Sequence, residues 1–117
     1  MSTFRDLKIW QKAMSLVTEV YRITTYFPDS EKYGLVSQIR RSAVSIPSNI
    51  AEGYGRNSNR ELQRYLNISM GSLFELQTQI EIARNLDYFE NNAGTNIYDM
   101  SREIERMMSS FIRSLND

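Results

Sequence analysis

Apolar side chains recur along this chain at alternating intervals of three and four residues, in four separate stretches. Intervals of that kind place side chains on one face of an α-helix, whereas a half-buried strand alternates every second residue. No stretch shows sustained strand alternation. The pattern predicts an all-α protein with helices over about residues 5–27, 30–53, 58–86 and 95–115.

The connections between the predicted helices are short, and the helices are similar in length. Short connections between helices of similar length favour antiparallel neighbours. We therefore predict that residues 1–117 form one domain, an antiparallel four-helix bundle with up-down-up-down topology.

Capping residues mark several of the predicted helix ends. Thr3 and Asp6 resemble a capping box, and Pro28 ends the first helix because the residue before a proline is pushed out of α space. The second helix should begin near Asp29 or Ser30. The capping box of Ser58 and Glu61 should begin the third helix, and a turn over residues 87–94 should precede the fourth helix.

The second and third helices each contain a residue that helices usually avoid. Pro47 removes one backbone donor and clashes with the carbonyl four residues earlier, at Ala43, but the apolar period resumes at Ile50. We therefore predict a kink in the second helix at Pro47. Gly71 lies in the middle of the third helix at a cost of about 1 kcal/mol relative to alanine, which a close helix crossing would explain.

The first predicted helix carries two apolar stripes, although one is enough for packing within a bundle. One stripe contains Trp10 and the other contains Ile9, and the rotation of the helix decides which faces outward. Apolar and aromatic residues on an outer face are typical of subunit contacts. We predict a homo-oligomer with Ile9, Trp10, Leu16 and Val20 as candidate interface residues.

Composition removes most catalytic chemistry. The chain has no cysteine and no histidine, which excludes thiolate nucleophiles, most zinc sites and the usual general base near neutral pH. The sequence also lacks a glycine-rich phosphate loop and the Glu-x-x-His motifs of di-metal bundles. We therefore expect no enzyme, no catalytic residue, no cofactor and no metal ligand.

Targeting signals are also missing from the sequence. There is no long uninterrupted apolar run, and the first residues lack the charged-then-apolar layout of a secretory signal. These features predict a cytoplasmic protein without a membrane partner.

The formal net charge is zero, but the charges are unevenly distributed. Residues 36–64 carry five arginines against Glu52 and Glu61. Arginine beside tyrosines such as Tyr54 and Tyr65 is the chemistry of contacts to RNA or single-stranded DNA. The candidate nucleic-acid-binding residues are Arg40, Arg41, Arg56, Arg60 and Arg64. The alternative interpretation is a solvated face on which the glutamates pair with the arginines at small gain.

The residues after Pro47 are unusually polar for a helix. Ser48, Asn49 and Glu52 form a candidate polar motif beside the turn that follows. In the structural interpretation, Ser45, Ser48 or Asn49 satisfies backbone groups that the proline frees. In the functional interpretation, Asn49 and Glu52 form a polar site, and we favour the structural one.

Several of these residues also belong to two longer sequence motifs. The motifs are Phe4-x-Asp6-Leu7-x-x-Trp10-Gln11-Lys12-Ala13 and Gly34-Leu35-x-x-Gln38-x-Arg40-Arg41-x-x-Val44-Ser45-Ile46-Pro47-Ser48-Asn49-Ile50-Ala51-Glu52-Gly53. Over about residues 4–90 the chain resembles the bacterial four-helix-bundle family named for 23S ribosomal RNA intervening sequences.

The resemblance implies a reading frame of the kind found in insertions within 23S rRNA genes, and a homopentamer of bundles around an axis. The family is also similar to the accessory variability protein of diversity-generating retroelements, a basic pentamer that binds nucleic acid and a reverse transcriptase. This chain differs from that relative in having no net charge. The implied partners are RNA or a nucleic-acid-processing protein, and the alternative function is a structural or protein-interaction module without nucleic-acid binding.

Overall fold

The computed structural model describes residues 2–116, and the regular structure in that range is entirely helical. The helices are α1 (Lys8–Thr24), α2 (Leu35–Tyr54), α3 (Asn59–Asn85) and α4 (Asn91–Ser114), with 3₁₀ turns at Phe4–Asp6 and Asp29–Glu31. The prediction of an all-α four-helix protein is confirmed. No helix within residues 2–116 is long and apolar enough to span a bilayer.

The first two helices begin later than the sequence predicts. The Thr3–Asp6 capping box is present, but it caps a 3₁₀ turn, and the extended backbone of Leu7 separates that turn from α1. Residues 29–31 likewise form a separate 3₁₀ turn. Gly34, with φ −113° and ψ −109°, precedes the first residue of α2.

The ends of α3 are well capped, and α4 begins earlier than predicted. Ser58 Oγ accepts a hydrogen bond from the Glu61 amide at 3.1 Å, as the sequence indicates. Asp87 has φ 59°, and the Tyr88 amide donates to the Ala83 carbonyl at 3.1 Å, which is a Schellman ending. Since α4 starts at Asn91, the prediction that residues 91–94 belong to the turn is wrong.

The helices are arranged so that each contacts two others. Within the described chain, α1 and α3 each contact α2 and α4, whereas α1 does not contact α3. Ser42 of α2 bonds to Gln79 late in α3, and Ser45 in the middle of α2 bonds to Ser72 in the middle of α3, both at 2.8 Å. The helices therefore occupy the corners of a square, with α1 diagonal to α3.

Burial of the stripe that contains Ile9 shows which side of α1 faces the core. Ile9, Leu16 and Val20 are 5%, 0% and 0% exposed, and they belong to the single apolar core that the four helices share. Side chains that are covered within one bundle have no surface left for another subunit. The assignment of these three residues to a subunit interface is therefore wrong, and the half-buried Trp10 keeps its place as a candidate.

The close helix crossing occurs at a different glycine from the one predicted. A Cβ at Gly53 would lie 2.7 Å from Tyr65 Cβ, so the last turn of α2 approaches α3 as only glycine allows. A Cβ at Gly71 would meet nothing within 4 Å, and this residue lies on the outer side of α3. The prediction of a crossing at Gly71 is wrong.

The proline of α2 lies inside a continuous helix. Pro47 is buried, and α2 runs through it from Leu35 to Tyr54. The predicted kink at this residue stays a prediction.

Candidate nucleic-acid interface

Two of the five predicted arginines meet at one tyrosine beside the α2–α3 turn. Arg56 Nη2 donates a hydrogen bond to the Tyr65 hydroxyl at 2.8 Å, and Arg56 Cζ lies 5.0 Å from the ring centroid. Arg64 Cζ also lies 5.0 Å from the same centroid. Both distances are within the range of cation–π attraction. We call Arg56, Arg64 and Tyr65 the arginine cluster.

Local backbone structure explains why these residues come together. Gly55 ends α2, the Arg56 amide donates to the Gly53 carbonyl at 3.1 Å, and Ser58 then caps α3. The close approach at Gly53 places Tyr65 next to the end of α2. The turn therefore holds Arg56 above a ring that belongs to the next helix.

Carboxylates accompany both arginines of the cluster. Arg56 Nη2 lies 3.4 Å from Glu52 Oε1, and Arg64 Nε lies 3.5 Å from Glu61 Oε2. The four side chains are 44–59% exposed, and ion pairs in such positions contribute only about 0–1 kcal/mol. The glutamate–arginine ion pairs that the solvated-face interpretation predicts are thus present. They are weak enough for another anion to take the place of the glutamates.

The remaining predicted arginines do not all join this cluster. Arg60 is exposed on the first turns of α3, near Arg56 and Arg64 in sequence. Arg40 and Arg41 lie in the first half of α2, about 20 Å from its end by the rise of an α-helix. The five candidate arginines therefore do not all lie together at one surface.

Arg40 has a structural environment of its own. Its Nε donates to Thr24 Oγ1 at 2.9 Å, its Nη2 donates to the Tyr21 carbonyl at 3.3 Å, and its Cζ lies 4.4 Å from the Tyr21 ring centroid. These contacts join α2 to the last turn of α1, where a positive charge is favourable. Arg40 is therefore engaged in fastening two helices, while Arg41 is exposed.

The candidate polar motif bonds to backbone carbonyls one turn earlier, but these are not the Ala43 carbonyl whose donor Pro47 removes, so the structural interpretation stays a prediction. Ser48 Oγ donates to the Val44 carbonyl at 2.8 Å, and Asn49 Nδ2 donates to the Ser45 carbonyl at 2.8 Å. Glu52 is directed toward Arg56 instead of Asn49. The three residues thus form no joint site in this structure.

A groove between α1 and α2 exposes the outer stripe of α1. Its volume is about 360 Å³, and its surface is almost entirely apolar. We call it the α1–α2 groove; it is lined by Trp10, Met14, Val17, Val44, Pro47, Ser48 and Ala51.

A second apolar surface follows the outer side of α3. Ile68, Phe74 and Ile82 are 41%, 47% and 43% exposed, and Gly71 lies between the first two of them in sequence. We call these four residues the α3 stripe. Sequence reasoning missed this surface, although these residues fall outside the buried seam of α3, and that spacing was the available signal.

The opposite end of the bundle has a cavity of about 640 Å³ between α1 and the α3–α4 connection. Tyr88 at this cavity donates its hydroxyl hydrogen to Glu31 Oε2 at 2.8 Å. That hydrogen bond, together with desolvation and the Glu31 charge, raises the pKa of Tyr88 above its ordinary value of 10.0. No group of three potential metal-ligating side chains occurs in the part of the chain that the structure describes.

Comparison with known proteins identifies related sequences and folds. The family model described as 23S rRNA-intervening sequence protein matches residues 5–110. A solved protein of unknown function from the S23 ribosomal protein family of Bacteroides thetaiotaomicron is similar in fold, with a TM-score of 0.80 and 22% sequence identity. The match covers 89% of this chain and 97% of that chain. No curated protein matches the chain.

Proposed function

The chain belongs to the 23S rRNA-intervening sequence protein family, and on this premise we propose that it functions as a non-catalytic, self-associating helical bundle. The observation that carries the proposal is the pair of exposed apolar surfaces, the α1–α2 groove and the α3 stripe. Exposed apolar surfaces of this kind mark contact sites on proteins.

The two surfaces lie on different sides of the bundle, because α1 does not contact α3. The α3 stripe of one copy can therefore enter the α1–α2 groove of the next copy. Such a head-to-tail contact is heterologous, and it produces a ring when its rotation closes. Gly71 supports this arrangement, since the absence of a side chain lets another helix come close. A closed ring of five copies is the size that the family resemblance implies.

The energetics favour a ring over an isolated pair. Covering the exposed parts of Ile68, Phe74 and Ile82 contributes about 1 kcal/mol for each side chain, since roughly half of each is already buried. Association costs about 4–15 kcal/mol, so these residues alone do not hold a dimer together. In a ring every chain uses both surfaces, which doubles the contacts per subunit.

Mass measurement in solution tests the proposal. Sedimentation analysis of the wild type at micromolar concentration should give a multiple of the 13.7 kDa chain mass. Phe74→Asp in the stripe and Val44→Asp in the groove should each give monomers. Tyr26→Asp, at an exposed aromatic residue outside both surfaces, is the matched control and should assemble like the wild type. A strictly monomeric wild type would contradict self-association.

Mixing the two defective variants tests the head-to-tail geometry. The Phe74→Asp chain keeps an intact groove, and the Val44→Asp chain keeps an intact stripe, so one productive contact remains between them. Mixed together they should form heterodimers and nothing larger. A mixture that stays monomeric would show that the two surfaces do not contact each other.

A second candidate function is RNA binding, and the arginine cluster is the observation that favours it. Fluorescence titration of labelled single-stranded RNA should show an affinity that falls roughly twentyfold between 50 and 200 mM salt if about three phosphates are contacted. Joint replacement of Arg56, Arg60 and Arg64 by glutamine should abolish this binding. Arg40→Gln is the control, because Arg40 contacts α1. Binding by the triple variant at wild-type strength would leave only the protein-interaction function.

A further inference from the structure

We infer that Tyr65 is a positioning residue that holds Arg56 and Arg64 as a pair, and that this pair binds phosphate groups of single-stranded RNA without reading the bases. The inference rests on the second candidate function, RNA binding. It goes beyond it by naming the part of the ligand that is recognised and the residue that prepares the site.

The pairing of the two arginines depends on a residue between them. Arg56 lies in the turn and Arg64 lies on α3, and both have long side chains with exposed ends. Each guanidinium carbon lies 5.0 Å from the Tyr65 centroid, so the two are at most about 10 Å apart, within one Debye length at 0.1 M salt. Tyr65 therefore makes the two charges act together on one anionic chain.

The position of Tyr65 argues against base stacking. Both guanidiniums already lie over its ring, and its hydroxyl accepts the Arg56 hydrogen bond at 2.8 Å. A base that stacked on a face occupied by a guanidinium would have to displace a cation that the ring attracts. The close packing of Tyr65 Cβ against Gly53 places the base of this side chain next to the end of α2. Tyr65 is thus placed to hold arginines, and the arginines are placed to meet the ligand.

The donor geometry of the arginines favours phosphate. Each guanidinium has five N–H donors in a planar fork that matches the oxygens of a phosphate. The Arg56 contacts involve one nitrogen, Nη2, and the Arg64 ion pair involves Nε. Glu52 and Glu61 occupy the place of an anion at 3.4 and 3.5 Å, and a phosphate of the same charge sign would replace them.

Binding of oligouridylate and oligoadenylate of equal length tests whether bases are read. The wild type should bind both with affinities that agree within about twofold, because phosphate contacts carry no sequence information. A tenfold preference for oligoadenylate, the better stacking partner, would overturn the inference.

Variants of Tyr65 test the positioning role with the same probes. Tyr65→Leu removes the ring and should weaken binding about as much as Arg56→Gln, while lowering the slope of log affinity against log salt by about 0.7 for each lost phosphate contact. Tyr65→Phe keeps the ring and loses only the hydroxyl, so it should retain most of the affinity and the wild-type fold. Tyr33→Leu is the matched control, since Tyr33 is 89% exposed with Lys32 Nζ 5.5 Å from its ring centroid.

The outcomes separate the inference from the function on which it rests. If the wild type shows no salt-dependent binding to either probe, RNA binding itself fails. If the wild type binds and Tyr65→Leu binds with the same affinity and salt slope, RNA binding stands and the positioning role is refuted. A variant whose thermal midpoint falls while its salt slope stays unchanged shows that Tyr65 is only structural.

Discussion

Two aromatic groups, one at each end of the bundle, have different neighbours. At the α2–α3 turn, the Tyr65 ring centroid lies 5.0 Å from the Cζ atoms of Arg56 and Arg64. At the opposite end, Phe27 packs against Tyr88 with ring centroids 5.3 Å apart and against Phe89 at 6.1 Å. The Tyr65 ring thus contacts cations, whereas the Phe27 ring contacts other rings.

A glycine accommodates an aromatic residue at each end. Gly53 lets α2 approach Tyr65, and a methyl group on Gly94 would overlap the Phe89 ring. The difference lies in what the accommodated side chain then does. Phe89 helps to cover the buried Phe27, whereas Tyr65 holds arginines that face solvent. The comparison teaches that the same packing device can cover apolar side chains at one end and place exposed arginines beside a ring at the other.

Truncation of Phe27 should have the largest effect and would test whether the aromatic end carries stability. Phe27→Ala removes a ring that is 5% exposed, which should lower the free energy of unfolding by about 3 kcal/mol. Urea denaturation measures the loss. Tyr26→Ala, at a neighbouring residue that is 84% exposed, is the control and should change stability by less than about 0.5 kcal/mol. Equal losses in both variants would remove the contrast between the ends.

A methyl group at Gly53 should have the next largest effect. Gly53→Ala forces α2 away from Tyr65 Cβ, which costs about 1–3 kcal/mol and outweighs the helix-propensity gain of about 1 kcal/mol. Gly71→Ala is the matched control, since it gains the same propensity and meets no neighbour within 4 Å. Chemical denaturation at a concentration below that of assembly should show a loss for the first variant and a gain for the second. A gain in both would mean that the close crossing tolerates a side chain.

The contrast between these two glycines also shows what could be predicted from the sequence. The four helices follow from the local apolar period, and the Ser58 cap follows from residues three positions apart. Helix propensity treats Gly53 and Gly71 alike, because the difference between them lies in residues of another helix. The location of the crossing therefore could not be read from the chain.

The candidate site shows the same limit. The sequence puts Arg40 in the same candidate set as Arg56 and Arg64, but the role of Arg40 depends on Tyr21, which is nineteen residues away in sequence. Two equivalent apolar stripes on α1 likewise left its rotation open, and only packing against the other helices buried the stripe with Ile9. Local periodicity gives faces, and tertiary contacts decide which face is free.

Replacement of Asp87 should produce a smaller gain at the aromatic end. Asp87 has φ 59°, a conformation that glycine adopts without cost, and it lies at the end of α3 where a negative charge is unfavourable. Asp87→Gly should therefore raise the free energy of unfolding by about 1 kcal/mol. Asp87→Asn removes the charge alone, so thermal denaturation of both variants separates the two causes. A loss of stability in Asp87→Gly would show that the carboxylate has a stabilising partner.

The smallest expected effect is a pH dependence of stability caused by Tyr88 at the aromatic end. The hydrogen bond to Glu31 raises the pKa of Tyr88 above 10.0 in the folded state, so folding favours the protonated hydroxyl. Its contribution is fully present below about pH 10 and is lost as the pH rises through the folded-state pKa. Denaturation profiles of the wild type and Tyr88→Phe should therefore converge at high pH. Tyr65→Phe removes a hydroxyl at the other end of the bundle, which accepts a hydrogen bond from Arg56, and it is the control variant. Profiles of the wild type and Tyr88→Phe that stay parallel up to high pH would show that the Tyr88 hydroxyl makes no pH-dependent contribution to stability.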